Sequence, residues 1–341
     1  MSENAQLDAD LAELFDDVFG TWREARGSAT LELDLDRALW ATLDETGISR
    51  LTAVDGAGAS WVEAAGLLGA AARAAAPRPI AENDLLSGWL REQAGIEDDG
   101  LLHSAAELDG AGAANAVPWA SQVDRITLLW PAGSGWKVAD VATSELTITP
   151  GRDLAGQPRD AVKADLSALE GSDVSAEVAR EYRLRGALAR AVQMNAAMGR
   201  MVELAVEHAT SRVQFGRPIG KFQAVQNLIA DAAAEVAISG SAADAAVLLA
   251  ASGQADLDRL ELSVAVARSV AGHAASTVVR NVHQVHGAIG TTFEHQLHEF
   301  SKPVLAWRSE FGSVREWDSL LSEKLVASDE GLWSFGVETD G

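Results

Sequence analysis

Four long helical patterns run through the second half of the chain, at about 176–211, 219–251, 256–286 and 292–327. At 1.5 Å per residue the longer ones reach roughly 45–50 Å, more than a small domain needs. The connections between them are short, which predicts an antiparallel four-helix bundle. On the first pattern Val178, Tyr182, Leu184, Leu188, Met194, Met198 and Met201 fall on one apolar stripe, and the methionines read as core filling. The stretch 230–251 carries alanine on several faces, which predicts close packing against other helices, including those of another subunit. No Glu-x-x-His pair occurs in the four patterns, so a di-iron carboxylate bundle is excluded.

The first connection has a chemistry of its own, Arg212-Val-Gln-Phe-Gly-Arg-Pro-Ile-Gly-Lys-Phe-Gln-Ala-Val-Gln226. Pro218 cannot continue a helix, and Gly216 and Gly220 allow backbone angles that other residues resist, so a turn is predicted. Arg212, Arg217 and Lys221 lie in a window, 208–230, without Asp or Glu, in a chain of net charge −23. A basic turn opening onto a helix N-terminus is either an anion site or a solvated loop. A second glycine turn, Gln284-Val-His-Gly-Ala-Ile-Gly290, ends the third pattern. Gly287 and Gly290 there serve as helix C-caps or as a cofactor turn. His283/His286 and His295/His298, with Glu294 and Glu299 beside them, offer metal-type donors. No His-Glu-x-x-His spacing accompanies them, so they read as surface or interface residues and no metal is assigned.

Upstream, 1–98 reads as a helical domain. Leu7, Leu11, Leu14, Phe15 and Val18 recur at helical spacing, a helix over 36–46 is closed by Gly47, and Ser60 N-caps the next with Glu63 three residues on. Residues 99–166 change texture. Arg125–Trp130 and Gly135–Val141 form a hairpin about Pro131-Ala-Gly-Ser-Gly135, and Ser144–Thr149 is a further strand. Ser167–Ser175 is a linker, and 175–330 is the bundle domain. The fold class is therefore mainly α with a small β-domain.

Charged residues are 23% and hydrophobic ones 48%, with no cysteine, which excludes disulfide and thiolate chemistry and fits a reducing, cytoplasmic setting. The acidic start is no signal peptide. Charge breaks the alanine-rich stretches, so no membrane span is expected, and so acidic a chain repels nucleic acid.

The wording of 212–226 resembles the acyl-CoA dehydrogenase family, whose Arg-x-Gln-Phe-Gly-x-Pro-Ile-x-x-Phe-Gln segment joins two helices of the C-terminal domain and contacts FAD. Gln284–Gly290 looks like the family's Gln-x-x-Gly-Gly-x-Gly turn, which meets the same FAD across a subunit boundary. The resemblance implies an N-terminal helical domain, a middle β-domain, here reduced, and a C-terminal four-helix bundle. It implies Arg212, Gln214, Phe215, Gln223, Gln284, His286, Gly287 and Gly290 as FAD contacts. Two family features are missing. The Thr-Glu-Pro-x-x-Gly-Ser-Asp type of segment that holds flavin ring and thioester has only Gly110–Pro118 in its place. The base that removes the α-proton while hydride passes from the β-carbon to FAD stands at one of two family positions, which fall here on Phe311 and near Gly186. Glu310, one residue off, would be turned about 100° away on a helix and read as an exposed helical glutamate.

The resemblance therefore implies a subunit that lends FAD contacts and assembly to a catalytic acyl-CoA dehydrogenase chain, as in the α2β2 heterotetramers of actinobacterial steroid and lipid degraders. An acyl-CoA desaturated at the α,β position would be the substrate, with an electron-transfer flavoprotein or similar acceptor. Two alternatives stand beside it: a complete homo-oligomeric dehydrogenase with Glu310 as base, and a flavin-free helical scaffold.

Overall fold

A computed structural model describes residues 7–26, 33–53, 58–253 and 256–327. Three short helices come first: α1 (Ala9–Arg26), α2 (Arg37–Glu45) and α3 (Trp61–Arg73). The Asp36 carboxylate caps α2 by accepting from the Ala38 and Leu39 amides, and Gly47 (φ 75°) follows its end. Ser60 and Glu63 form a reciprocal capping box on α3, as their spacing predicts. The chain then winds into a buried π-helical stretch, Ala81–Gly88, which continues as α4 (Trp89–Gln93). The expected loop at 55–59 lies mostly outside the described residues.

Seven strands follow: β1 (His103–Glu107), β2 (Ala113–Pro118), β3 (Arg125–Ala132), β4 (Gly135–Ala142), β5 (Thr147–Thr149), β6 (Arg159–Lys163) and β7 (Ser172–Val174). They make two sheets, ordered β1-β3-β4-β7 and β2-β6-β5. β3 and β4 close as a two-residue hairpin, with Ala132 opposite Gly135 and Gly133 at φ 61°. Two expectations are corrected. Ser144–Thr149 is a strand only from Thr147, because Thr143–Glu145 turn as a 3-10 helix. The linker contains β7, which pairs with β4.

The bundle is α5 (Ala176–Ser211), a small hairpin of β8 (Val213–Gln214) and β9 (Arg217–Pro218), α6 (Gln223–Ala251), α7 (Leu257–His286), α8 (His298–Trp307) and α9 (Val314–Ala327). Met194, Met198 and Met201 are fully buried in its core. The second pattern begins later than expected, because Ile219–Lys221 is 3-10. The fourth is two helices. Between them the buried Arg268 guanidinium donates to the carbonyls of Trp307 (3.1 Å) and Glu310 (2.9 Å). Phe311 (φ 55°) and Gly312 (φ 112°) leave helical space altogether. A cation placed on the last carbonyls of α8 stabilises that end and holds the break open.

The N-terminal helices share one core with the bundle, joining Phe15, Leu43 and Leu68 to Leu188 and Ala265. Against the expectation from sequence, α6 and the stretch from α7 to Thr291 are each long and apolar enough to cross a membrane, by length and composition alone. Valine, leucine and isoleucine share that apolarity with alanine. Few residues of α6 are buried, and Ile238 and Leu248 are prominent among its exposed ones.

Candidate functional site

The two glycine turns meet at one end of the bundle. Gln214 and Arg217 pair across a tight reversal in which Phe215 (φ 52°) and Gly216 (φ 78°) are both left-handed, the type I′ geometry that suits a two-residue hairpin. Gly216 is needed for that conformation. Gly220 is needed for close approach instead, since a Cβ there would lie 3.1 Å from the Ala209 carbonyl oxygen. Phe215 projects at the tip, 92% exposed, and the Arg217 guanidinium lies 4.3 Å from the Phe222 ring centre. Arg212, Gln214 and Gln223 are exposed. Gln223 donates to Asn227 (3.1 Å), and no side chain caps α6 at Phe222, so its first amides face outward beside a basic turn.

The end of α7 reaches the same place. The ring of His208, near the end of α5, stacks on His286 at 4.8 Å. His286 is buried and donates from Nδ1 to the Val282 carbonyl (2.8 Å), so its reading as a surface histidine is corrected. Gly287 (φ 64°) ends α7, and a Cβ on Gly290 would sit 2.7 Å from the His286 Cβ. Gln284 is exposed. Arg212, Gln214, Phe215 and Gln223 are thus carried on the hairpin and start of α6, and Gln284, His286, Gly287 and Gly290 on the neighbouring end of α7.

The second region is a cleft of about 1040 Å³ bounded by Ala105–Glu107, Ala114–Pro118, Arg152–Leu154, Tyr182, Phe311 and Trp317. Glu310 stands at its wall, and here the reading from sequence is corrected in its reasons. The segment is not helical, and Glu310 is not exposed on a helix: its side chain is 18% accessible and bound by two arginines, Arg190 Nε (2.7 Å) and Arg159 Nε (2.8 Å). Burial pushes its pKa up, but Arg190 and Arg159 overcome this and hold it down to about 2. Arg190 also pairs with the buried Glu82, and Arg159 faces Asp153 at 3.7 Å. A carboxylate so engaged has little basicity to offer. Beside it the Phe311 ring covers Gly186, and meets Tyr182 edge-on at 6.2 Å.

The partly open cavity between the helical and β regions, lined by Glu82, Trp119, Arg159, Arg190 and Trp307 among others, is only about 40 Å³. That holds a few waters and no three-ring heterocycle. Sequence reasoning missed these residues, since nothing local marks Trp119 or Arg190 as neighbours. Among the described residues one triplet, Asp99, His103 and Asp140, brings three metal-type donors within 4.8 Å of one another. Arg125 and Arg91 already stand against it, at 3.5 Å from Asp99 and 3.3 Å from His103 Nε2, so guanidinium groups supply its positive charge.

Residues 177–313 match the family profile "Acyl-CoA dehydrogenase, C-terminal domain". The chain is 30% identical over 286 residues to the acyl-CoA dehydrogenase FadE34 of Mycobacterium tuberculosis, covering 77% of this chain and 38% of FadE34. Over 116 residues it is 39% identical to the acyl-CoA dehydrogenase IpdE2 of the same organism, covering 34% of each. It therefore spans well under two thirds of these relatives. Its fold is similar to a chain of the ChsE4-ChsE5 complex from Mycobacterium tuberculosis, with a TM-score of 0.82 at 22% identity over 97% of this chain and 99% of that one. Residues 177–313 thus belong to the acyl-CoA dehydrogenase C-terminal domain family, and the fold built around them is an acyl-CoA dehydrogenase fold.

Proposed function

We propose that this chain is the non-catalytic partner in a heteromeric, FAD-dependent acyl-CoA dehydrogenase. The observation that carries this reading is at the cleft, where Phe311 fills the space over Gly186 and the adjacent carboxylate, Glu310, is clamped by Arg159 and Arg190. Neither position at which the resemblance places a base therefore offers a free carboxylate to remove an α-proton from a thioester.

FAD, when bound, supplies the acceptor for the substrate's β-hydride. The residues of this chain fit one part of that cofactor. Arg212, the outward amides of α6 and the backbone at Gly287–Gly290 suit a pyrophosphate and its flanking groups. The 40 Å³ cavity does not suit the flavin ring. We therefore assign Arg212, Gln214, Phe215, Gln223, Gln284, His286, Gly287 and Gly290 to FAD held mainly by a catalytic acyl-CoA dehydrogenase subunit in an α2β2 assembly. The acyl-CoA and the electron-transfer flavoprotein, or similar acceptor, would meet that partner. Similarity to one chain of a two-protein complex and the exposed apolar face of α6 support hetero-assembly, and the setting is cytoplasmic.

The test is to purify the chain alone and with the second chain expected to accompany it. Alone, it should be colourless or carry far less than one FAD per chain, and the complex should be yellow and bleach with an acyl-CoA. A yellow homo-oligomer that bleaches with acyl-CoA would refute the assignment. A complex that forms and stays flavin-free would leave a scaffold.

A further inference from the structure

Five of the seven histidines lie at the bundle end where the glycine turns meet. His208, His286 and His295 are in direct ring contact. His208 stacks on His286 at 4.8 Å and 26°, His295 approaches His286 at 4.6 Å and 64°, and His208 and His295 are 6.4 Å apart. The His295 carbonyl accepts from His298 Nδ1 (2.8 Å), and His295 Nδ1 accepts from the Leu297 amide (3.1 Å). His286 Nε2 is buried without a hydrogen-bond partner. These contacts join α5, α7 and the 287–297 segment, which holds Gly287–Gly290.

The charged or titratable groups acting on the three rings are one another, Arg212 from α5, His283 from α7 and His298 from α8. None is a carboxylate. Glu207 on α5 is taken by Arg200 (2.9 Å) and Glu299 on α8 by Arg23, while Glu294 is exposed. Burial first, and cationic neighbours second, push His208 and His295 below the ordinary imidazole value. Burial pushes His286 the same way against a smaller pull from backbone carbonyls. A base whose folded pKa is depressed binds fewer protons folded than unfolded, so its contribution is lost as pH falls below the ordinary value near 6.5.

We propose that the contact of His208, His286 and His295 is an acid-operated latch: uncharged, it clamps the 287–297 segment to the ends of α5 and α7, and protonation releases that segment. The latch needs no flavin, although His286, Gly287 and Gly290 are also among the residues assigned to it. Like charges some 5 Å apart in a partly buried site repel strongly, and 287–297 holds only a short 3-10 helix, Gly287–Thr291, followed by turns, to resist.

Hydrogen exchange of the full chain, read by mass spectrometry at about pH 7.5 and 5.5 and corrected for intrinsic rates, tests this. Protection over 287–297 should fall about tenfold or more at the lower pH, while the middle of α7 keeps its own. His208→Gln/His295→Gln, which keeps His286 and removes its two neighbours, should lose most of that dependence. Equal protection at both pH values, or an undiminished fall in the double variant, overturns the latch. Should the double variant not fold, imidazole titration in the parent by NMR decides. All three rings must titrate below the ordinary histidine value, and any one of them at or above it overturns the proposal.

Discussion

The ring of Phe311 lies against Gly186, so that a Cβ built on Gly186 would come within 2.3 Å of Phe311 Cε1. Phe311 is held at φ 55°. These are the two positions at which the family resemblance expects a catalytic base, brought together in space and filled by a ring and a hydrogen atom.

Gly186→Ala should therefore destabilise the chain by about 1–3 kcal/mol, the usual cost of overpacking. In a Phe311→Ala background the same change should reverse sign and stabilise by up to about 1 kcal/mol, because alanine is the better helix former. A double-mutant cycle by denaturant unfolding measures this coupling. Equal effects in both backgrounds would mean that the ring is not what restricts Gly186.

Glu310→Gln should cost about 3–5 kcal/mol, since it leaves Arg159 and Arg190 short of their shared counter-charge. The depressed pKa fixes the sign of the pH effect. The carboxylate's contribution is present above its ordinary value of 4.5 and is lost as pH falls towards about 2. Unfolding free energies between those limits should slope less in the variant. In an active complex with a partner chain, Glu310→Gln that retains flavin should turn over within a few-fold of the parent, whereas loss of a general base costs about 10²-fold or more.

Asp84 runs the other way. Burial in the π-helical stretch raises its pKa to about 7, against hydrogen bonds from Thr52. The folded chain then binds more protons than the unfolded one, so this group's contribution falls as pH rises from about 4 to 7. Asp84→Asn should flatten that slope and be the more stable form at about pH 8, as thermal unfolding across the range will show.

Arg212→Ala should weaken flavin retention in the complex about ten- to a hundredfold, the value of one charge-assisted contact. Arg212→Lys should recover only part, because an ammonium lacks the guanidinium fork. Bound FAD read by absorbance after dialysis checks both. Unchanged retention in both would make Arg212 a solvated residue.

Local chemistry was legible in the sequence, and distant chemistry was not. Ser60 and Glu63 announce their capping box, the β3–β4 hairpin is written in its turn residues, and the apolar spacing of α5 runs its whole length. The break at 308–313 depends on Arg268, 42 residues before Glu310-to-Gly312 closes around it at the nearest carbonyl. Glu310 looks like any helical glutamate until Arg190 and Arg159, 120 and 151 residues away, fold against it. The hairpin at 212–222 shows both sides of this. A turn is evident from Gly216, but that Phe215 takes φ > 0 and Gly220 does not follows from packing against α5.

The chain Glu82–Arg190–Glu310–Arg159 draws one residue from the N-terminal helices, one from a sheet and two from the bundle. None of these stretches can close its core with its own charges neutralised. However modular the sequence looks, its parts are thermodynamically one body. An excised bundle would bury Arg190 without Glu82, an excised sheet would leave Arg159 without Glu310, and the whole should melt in a single step.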